Sequence, residues 1–303
     1  MATFTSRPGI GSVVVGVDGS PSARTAVMWA AEEAALRGSP LRVVHAADTD
    51  APAPFLSQAE IAESRRAGLE LLDRTAGEIA TRHPELTVLT ELDHGAAPDS
   101  LRRAAALTGT IVVGHRGLGG FSALLLGSVG LGVAAAATTP VVVVRGATEP
   151  AEPAEAGVVL AAVRDAADAG CALAAAREAV LRKVPLRLLH VRNAGLSAGA
   201  HALLRDGGEK NAGERVAVPP EVTDRVRKEF PELTVWADGR TSHSVPGALV
   251  DASHHADLVV VGGRRSPGYL GPTIGRTTLG LLQHAHCPVE LIPRRGPGHG
   301  TTY

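Results

Sequence analysis

Cysteine is almost missing from this chain: Cys171 and Cys287 are the only two among 303 residues. Two thiols cannot build a disulfide framework, so a small cross-linked secreted scaffold is excluded and a reducing cytoplasm is the expected setting. Aromatic residues are scarce as well, at 3%, which leaves Val, Leu, Ile and Ala to fill the cores. Positive charge is not in excess. A formal net charge of -1 provides no electrostatic footprint for nucleic acid, and no such partner is expected. Residues 1–11 lack the apolar centre of a signal peptide.

One uncharged stretch raises the question of a membrane. No charged residue stands between Arg116 and Arg145, and residues 124–144 are mostly apolar. A spanning helix needs roughly 20 continuous apolar residues. Here Gly127, Ser128, Gly130, Gly132 and the Thr138-Thr139-Pro140 run divide the stretch into loop, helix and strand. The matching stretch of the second half carries Arg276, His284 and His286, so no membrane insertion is expected.

The chain repeats itself once. Pro84-Glu85-Leu86-Thr87-Val88 recurs as Pro231-Glu232-Leu233-Thr234-Val235, and Pro40-Leu41-Arg42-Val43-Val44-His45 as Pro185-Leu186-Arg187-Leu188-Leu189-His190. Ile111-Val112-Val113-Gly114 is answered by Val259-Val260-Val261-Gly262, and Pro140-Val141 by Pro288-Val289. All the pairs lie 145 to 148 residues apart, in one order. A period this long with two copies means two domains. We assign the first to residues 1–146 and the second to 156–295. An Ala/Glu/Pro-rich join over 146–156 is expected to separate them, and 296–303 are expected to be a disordered tail.

Within the first copy, strands are expected at 13–17, 41–46, 86–92, 110–113 and 141–145. Helices are expected from Ser20-Pro21 to Arg37, over 56–82, 98–107 and 129–137. Ser20 suits an N-cap and Pro21 the first helical position. Solid Val/Ile/Leu strands alternating with helices argue an α/β domain: a parallel sheet covered on both faces and doubly wound.

The chemistry concentrates between the fourth strand and the next helix, in Gly114-His115-Arg116-Gly117-Leu118-Gly119-Gly120 and on to Leu126-Gly127-Ser128-Val129. Glycines let main-chain amides approach an anion, and a helix N-terminus favours a phosphate. A Walker loop is excluded because no lysine lies between His115 and Ser128. A dinucleotide fingerprint is excluded because a third glycine would be needed where Ser122 stands, and because it belongs after the first strand.

The spacing Gly114-x2-Gly117-x9-Gly127-Ser128 instead resembles the ATP loop of the universal stress protein family. So do Val13-Val14-Val15-Gly16-Val17-Asp18-Gly19-Ser20 and the Pro140-Val141-Val142-Val143-Val144 ending. The resemblance implies two tandem Rossmann-like domains, each a five-stranded parallel sheet of order 3-2-1-4-5 with helices on both faces. It implies that Asp18 faces the nucleoside with Ala46 beside the adenine, and that Val113 and Gly114 lie near the ribose. Gly117, Gly127, Ser128 and Val129 would offer amides or a hydroxyl to the phosphates, with Arg116 adding charge. The ligand would be ATP with Mg²⁺, and the role regulatory, with hydrolysis at most slow. In similar tandem proteins the two copies pair within one chain, and two chains can associate. A phosphotransferase or nucleotidyl-transfer enzyme on the same sheet, or an interaction module without ligand, are the competing readings.

Aligned without gaps, the second copy places Val163, Arg265 and Arg276 opposite Asp18, Gly117 and Ser128, while Gly262 and Gly275 remain. This copy is not expected to bind ATP in the family manner, and a structural or signalling role falls to it. His254, His255, His284, His286 and Cys287 read as surface histidines beside a buried thiol rather than a zinc site. His45 and His190 occupy equivalent strand ends and read as packing residues. Asp99 with Arg102 and Arg103 reads as an ordinary helix start. No motif anchors a catalytic triad or carboxylate pair.

Overall fold

The β-branched run Val13-Val14-Val15 is buried completely, with no exposed surface on three successive side chains. Side chains alternate between the faces of a strand, so both faces of this one are covered. A computed structural model describes residues 11–49, 57–106, 109–117, 126–145, 157–194, 216–263 and 274–293. The expected join over 146–156, the tail and Arg265 lie outside the described residues.

The chain divides into two compact units, the first made mainly of residues 11–145 and the second mainly of residues 157–292. In the first, the elements run β1 (Val13–Gly16), α1 (Pro21–Arg37), β2 (Leu41–Ala46), α2 (Gln58–Arg82), β3 (Val88–Asp93), α3 (Ala97–Ala105), β4 (Thr110–Gly114), α4 (Ser128–Ala135) and β5 (Val141–Val144). The sheet order is β3-β2-β1-β4-β5, and the pairs are parallel. After β3 the chain returns to the other side of β1, so β1 and β4 flank the switch point where α/β sheets open a crevice.

Local sequence sets these boundaries. Ser20 caps α1 by accepting the Ala23 amide at 3.1 Å, Pro21 occupies the first turn, and Gly38 at φ 60° ends the helix. The buried stripe of α1 contains Ala23, Ala26, Val27, Ala30, Ala31 and Ala34, small side chains that let the helix lie close on Val13, Val15 and Val43. Ser57 and Glu60 form a capping box for α2. The third strand starts two residues later than expected. The Leu86 amide is committed to the His83 carbonyl at 3.1 Å, in the turn that closes α2.

The second unit runs β6 (Val159–Ala162), α5 (Ala169–Arg182), β7 (Leu186–Asn193), α6 (Pro220–Glu229), β8 (Val235–Ser242), α7 (Val245–Ala252), β9 (Leu258–Gly263), α8 (Arg276–His284) and β10 (Val289–Pro293). β6 pairs in parallel with β7 and β9, and β7 with β8, with β10 beside β9. The topology is that of the first unit.

Two devices recur in both units. At the start of β4, Glu33 and Arg37 of α1 form an ion pair of 2.6 Å, and Arg37 also donates to the Thr110 hydroxyl at 3.1 Å. Glu33 is only 3% exposed, so removing Arg37 would take the counter-charge from a buried carboxylate. Glu178 and Arg182 repeat the pair on α5. At the other end of the strands, His45 Nδ1 lies 2.8 Å from the Val17 carbonyl oxygen, and His190 Nδ1 lies 3.0 Å from that of Val163. A carbonyl only accepts, so Nδ1 carries the proton in each.

This second device corrects the ungapped alignment. Val13 pairs with Leu41, and Val159 with Leu186, across a connection one residue shorter in the second unit. Val163 therefore corresponds to Val17, and Arg164, not Val163, stands opposite Asp18. The substitution at that place reverses the charge.

Among the described residues no helix is long and apolar enough to cross a membrane. The described part of the uncharged stretch holds the eight-residue α4 and the strand β5.

Candidate functional site

A cleft of about 390 Å³ opens at the carboxyl ends of β1, β2 and β4. Gly16, Val17 and Asp18 border it from β1, Val44 and Ala46 from β2, and Val113 and Gly114 from β4. Ala97 and Leu101 of α3 border it too, and Arg116, Gly117, Gly127, Ser128, Val129 and Gly130 carry the lining across the β4–α4 loop into α4. All nine residues singled out from the sequence line this one cleft. Sequence reasoning missed the apolar contribution of α3. The signal was the short helix that returns the chain beneath the switch point, where Leu101 comes within 3.0 Å of the place a side chain on Gly16 would occupy.

Asp18 follows β1 in a tight turn. Its Oδ1 accepts the Ser20 amide at 2.9 Å, and Gly19 takes φ +83°, a value that favours glycine. Asp18 thus shapes the start of α1 while lining the cleft. Its other oxygen, Oδ2, lies against Gly117, in the space a Cβ there would fill. Gly117 has no positive φ, and what the position requires is room for the Asp18 carboxylate.

The loop is bound to the first turn of α1. The Arg116 amide donates to Ser22 Oγ at 3.2 Å, His115 Nδ1 lies 3.0 Å from the same oxygen, and Ser20 Oγ donates to the Arg116 carbonyl at 3.4 Å. Burial, then the neighbouring Arg145 and Arg116 cations, pushes the His115 pKa below its ordinary value. The imidazole is neutral at neutral pH.

Gly127 caps α4, with φ -68° and ψ 157°. Its amide donates to the His115 carbonyl at 2.8 Å. It therefore does not offer that N–H to a ligand, which corrects the sequence reading. The first helical bond runs from the Leu131 amide to the Gly127 carbonyl at 3.0 Å. The amides of Ser128, Val129 and Gly130 are consequently left without an intrahelical acceptor and point out of the helix end. Leu118 to Leu125 lie outside the described residues.

At the second unit's equivalent strand ends the cap of the last helix is kept, whereas the turn after β6 differs: Asp165, in the place of Gly19, has φ -155°. Gly275 caps α8 with φ -67° and ψ 154°, matching Gly127, but α8 opens with Arg276. Arg164 takes the place of Asp18, and its amide donates to Asp168 Oδ2 at 2.9 Å. The buried Asp168 carboxylate also lies 3.3 Å from where a Cβ on Gly262 would stand, the position that faces Ser22 in the first unit.

Elsewhere, Arg102 pairs with Asp99 at the start of α3 as expected. Arg103 does not join them. It reaches back to Asp93 at the end of β3, 2.8 Å from both carboxylate oxygens. The His254 and His286 rings stack at 3.4 Å, and the Cys287 thiol beside them is buried.

A profile of the universal stress protein family matches residues 9–145 and again 157–293. A universal stress protein of Mycolicibacterium smegmatis is 28% identical over 290 residues, covering 93% of this chain and 97% of that protein. Another, Rv2623 of Mycobacterium tuberculosis, is 29% identical over 293 residues, covering 91% and 94%. The crystal structure of a universal stress protein from Archaeoglobus fulgidus superimposes with a TM-score of 0.66 at 16% identity, over 94% of this chain and 96% of that one. At that identity the likeness is one of fold.

Proposed function

This chain belongs to the universal stress protein family, and from that premise we propose that its first half binds an adenine nucleotide, ATP with Mg²⁺, to a regulatory end. The observation that carries the reading is the convergence on one cleft of the Asp18 carboxylate, the bare main chain at Gly114 and Gly117, and the open N-terminus of α4. The lining divides as a nucleotide does. Val44, Ala46, Ala97 and Leu101 give an apolar end for a base, and the loop and α4 give donors for phosphates. Arg116 adds a cation at the phosphate end. Asp18 and the Ser128 hydroxyl are the oxygen donors a Mg²⁺ ion on the phosphates would meet. The ion would neutralise phosphate charge.

The role is binding rather than turnover. Asp18 is the only carboxylate that lines the cleft among the described residues, and it is tied to the Ser20 amide. Hydrolysis would then depend on water positioned by the loop alone, which makes it slow. The second half, with Arg164 and the Asp168 carboxylate at the equivalent strand ends, does not take the nucleotide in this manner. Two free buried thiols suit a reducing cytoplasm, where we place the protein.

Isothermal titration of the full chain with ATP and Mg²⁺ tests the reading. One site per chain is expected. The absence of heat at millimolar ATP overturns it, and two equivalent sites overturn the assignment of the second half.

A further inference from the structure

The loop's tie to α1 does more than close a turn. Ser22 Oγ meets two groups of the loop, the Arg116 amide at 3.2 Å and His115 Nδ1 at 3.0 Å. A hydroxyl has one proton to give and two lone pairs to offer. Ser22 accepts from Arg116 N–H and has its proton to donate to the imidazole nitrogen in the tautomer that carries its hydrogen on Nε2. The main chain between Gly114 and Gly117 is thereby fixed at its midpoint, and Gly114 packs directly on the Ser22 backbone. The Arg116 amide points away from the cleft, committed to Ser22. The His115 carbonyl is committed to Gly127, which caps α4.

We propose that Ser22 and His115 are positioning residues that orient the β4–α4 loop for phosphate, so that the first cleft favours the phosphorylated nucleotide over the bare nucleoside. This rests on the nucleotide reading above. His115 serves through its neutral form, which burial and the flanking Arg145 and Arg116 cations maintain. The second unit supports the assignment by contrast. The side chain facing its strand-end glycine is the Asp168 carboxylate, which accepts the Arg164 amide but has no proton for a second partner. A carboxylate there also repels phosphate.

The test compares ATP with adenosine on the full chain. Ser22→Ala and His115→Ala are each expected to weaken ATP about tenfold, the worth of a lost hydrogen bond. Adenosine affinity should stay within about twofold, since no phosphate is involved. His115→Asn, whose amide can stand where Nδ1 does, should bind ATP like the unaltered protein. Hydrogen exchange without ligand should show the Arg116 amide opening faster in Ser22→Ala. Unaltered ATP affinity in Ser22→Ala overturns the proposal, as does an equal loss for ATP and adenosine, which would mean mere structural damage. If the unaltered chain binds adenosine and ATP equally, the proposal falls while the adenine site stands. If it binds neither, the nucleotide reading falls, and this proposal with it.

Discussion

Gly114 and Ser22 meet main chain to main chain: a methyl group on the glycine would stand 2.7 Å from both the carbonyl carbon and the carbonyl oxygen of the serine. No rotamer change relieves a clash with backbone. Gly114→Ala should therefore push α1 off the end of β4, at about 1–3 kcal/mol of stability. Urea unfolding checks this. Trimming Ser22 to glycine in the same chain should restore only part of the loss, because it removes the 2.5 Å contact with Ser22 Oγ and leaves the backbone contacts at 2.7 Å.

Gly117 makes a different demand. It is exposed, and a Cβ there meets the Asp18 carboxylate rather than backbone. Gly117→Ala should leave the urea midpoint within about 0.5 kcal/mol of the unaltered protein. ATP affinity, measured by calorimetry, should fall at least about tenfold as the carboxylate is displaced into the cleft. A parallel fall in stability would mean that the loop is part of the fold's support.

Asp93 offers a pH test. The Arg103 guanidinium, then the Gly95 amide and the Ser100 hydroxyl, hold its pKa at about 2. An unfolded Asp titrates near about 3.9. A group depressed in the folded state stabilises fully above the unfolded value and loses that contribution as pH falls through the folded one. The Asp93 contribution is thus complete above about pH 4 and is lost on the way down to about pH 2. Arg103→Ala should raise the Asp93 value toward the ordinary range, read by NMR titration of its carboxyl carbon. Arg103 is 58% exposed, so the accompanying change in stability at neutral pH should be small.

Both thiols should be inert in the folded protein. Burial pushes the Cys287 thiol up to about 12 and raises that of Cys171 further. Thiolate is the reactive form, and almost none exists at pH 8. Iodoacetamide should label neither cysteine in buffer and both in urea, as intact-mass measurement would show. Rapid labelling of Cys287 in buffer would mean that the 286–288 turn opens readily.

Much of this was readable from the sequence because the signals are local. Ser20-Pro21 announces the start of α1. Unbroken valine runs announce strands covered on both sides. The spacing of Gly114, Gly117 and Gly127 marks the loop. What stayed hidden depends on contacts across the chain. Ser22 and His115 are 93 residues apart, and nothing in either neighbourhood announces the other. That the Gly127 amide is already engaged cannot be seen from glycine spacing. Arg164 was missed because the shorter connection in the second half leaves no sequence mark, and only the pairing of Val159 with Leu186 reveals it.

The braces from α1 to Thr110 and within α5 lie where the strands begin, whereas Asp18 and the loop lie where they finish. The two halves agree at one pole and differ at the other. The second half keeps its glutamate–arginine brace and its His190 latch, yet it has exchanged acid for base beside that latch. The residues that line a cleft at one pole can therefore be exchanged without touching the ion pair that braces the domain at the other.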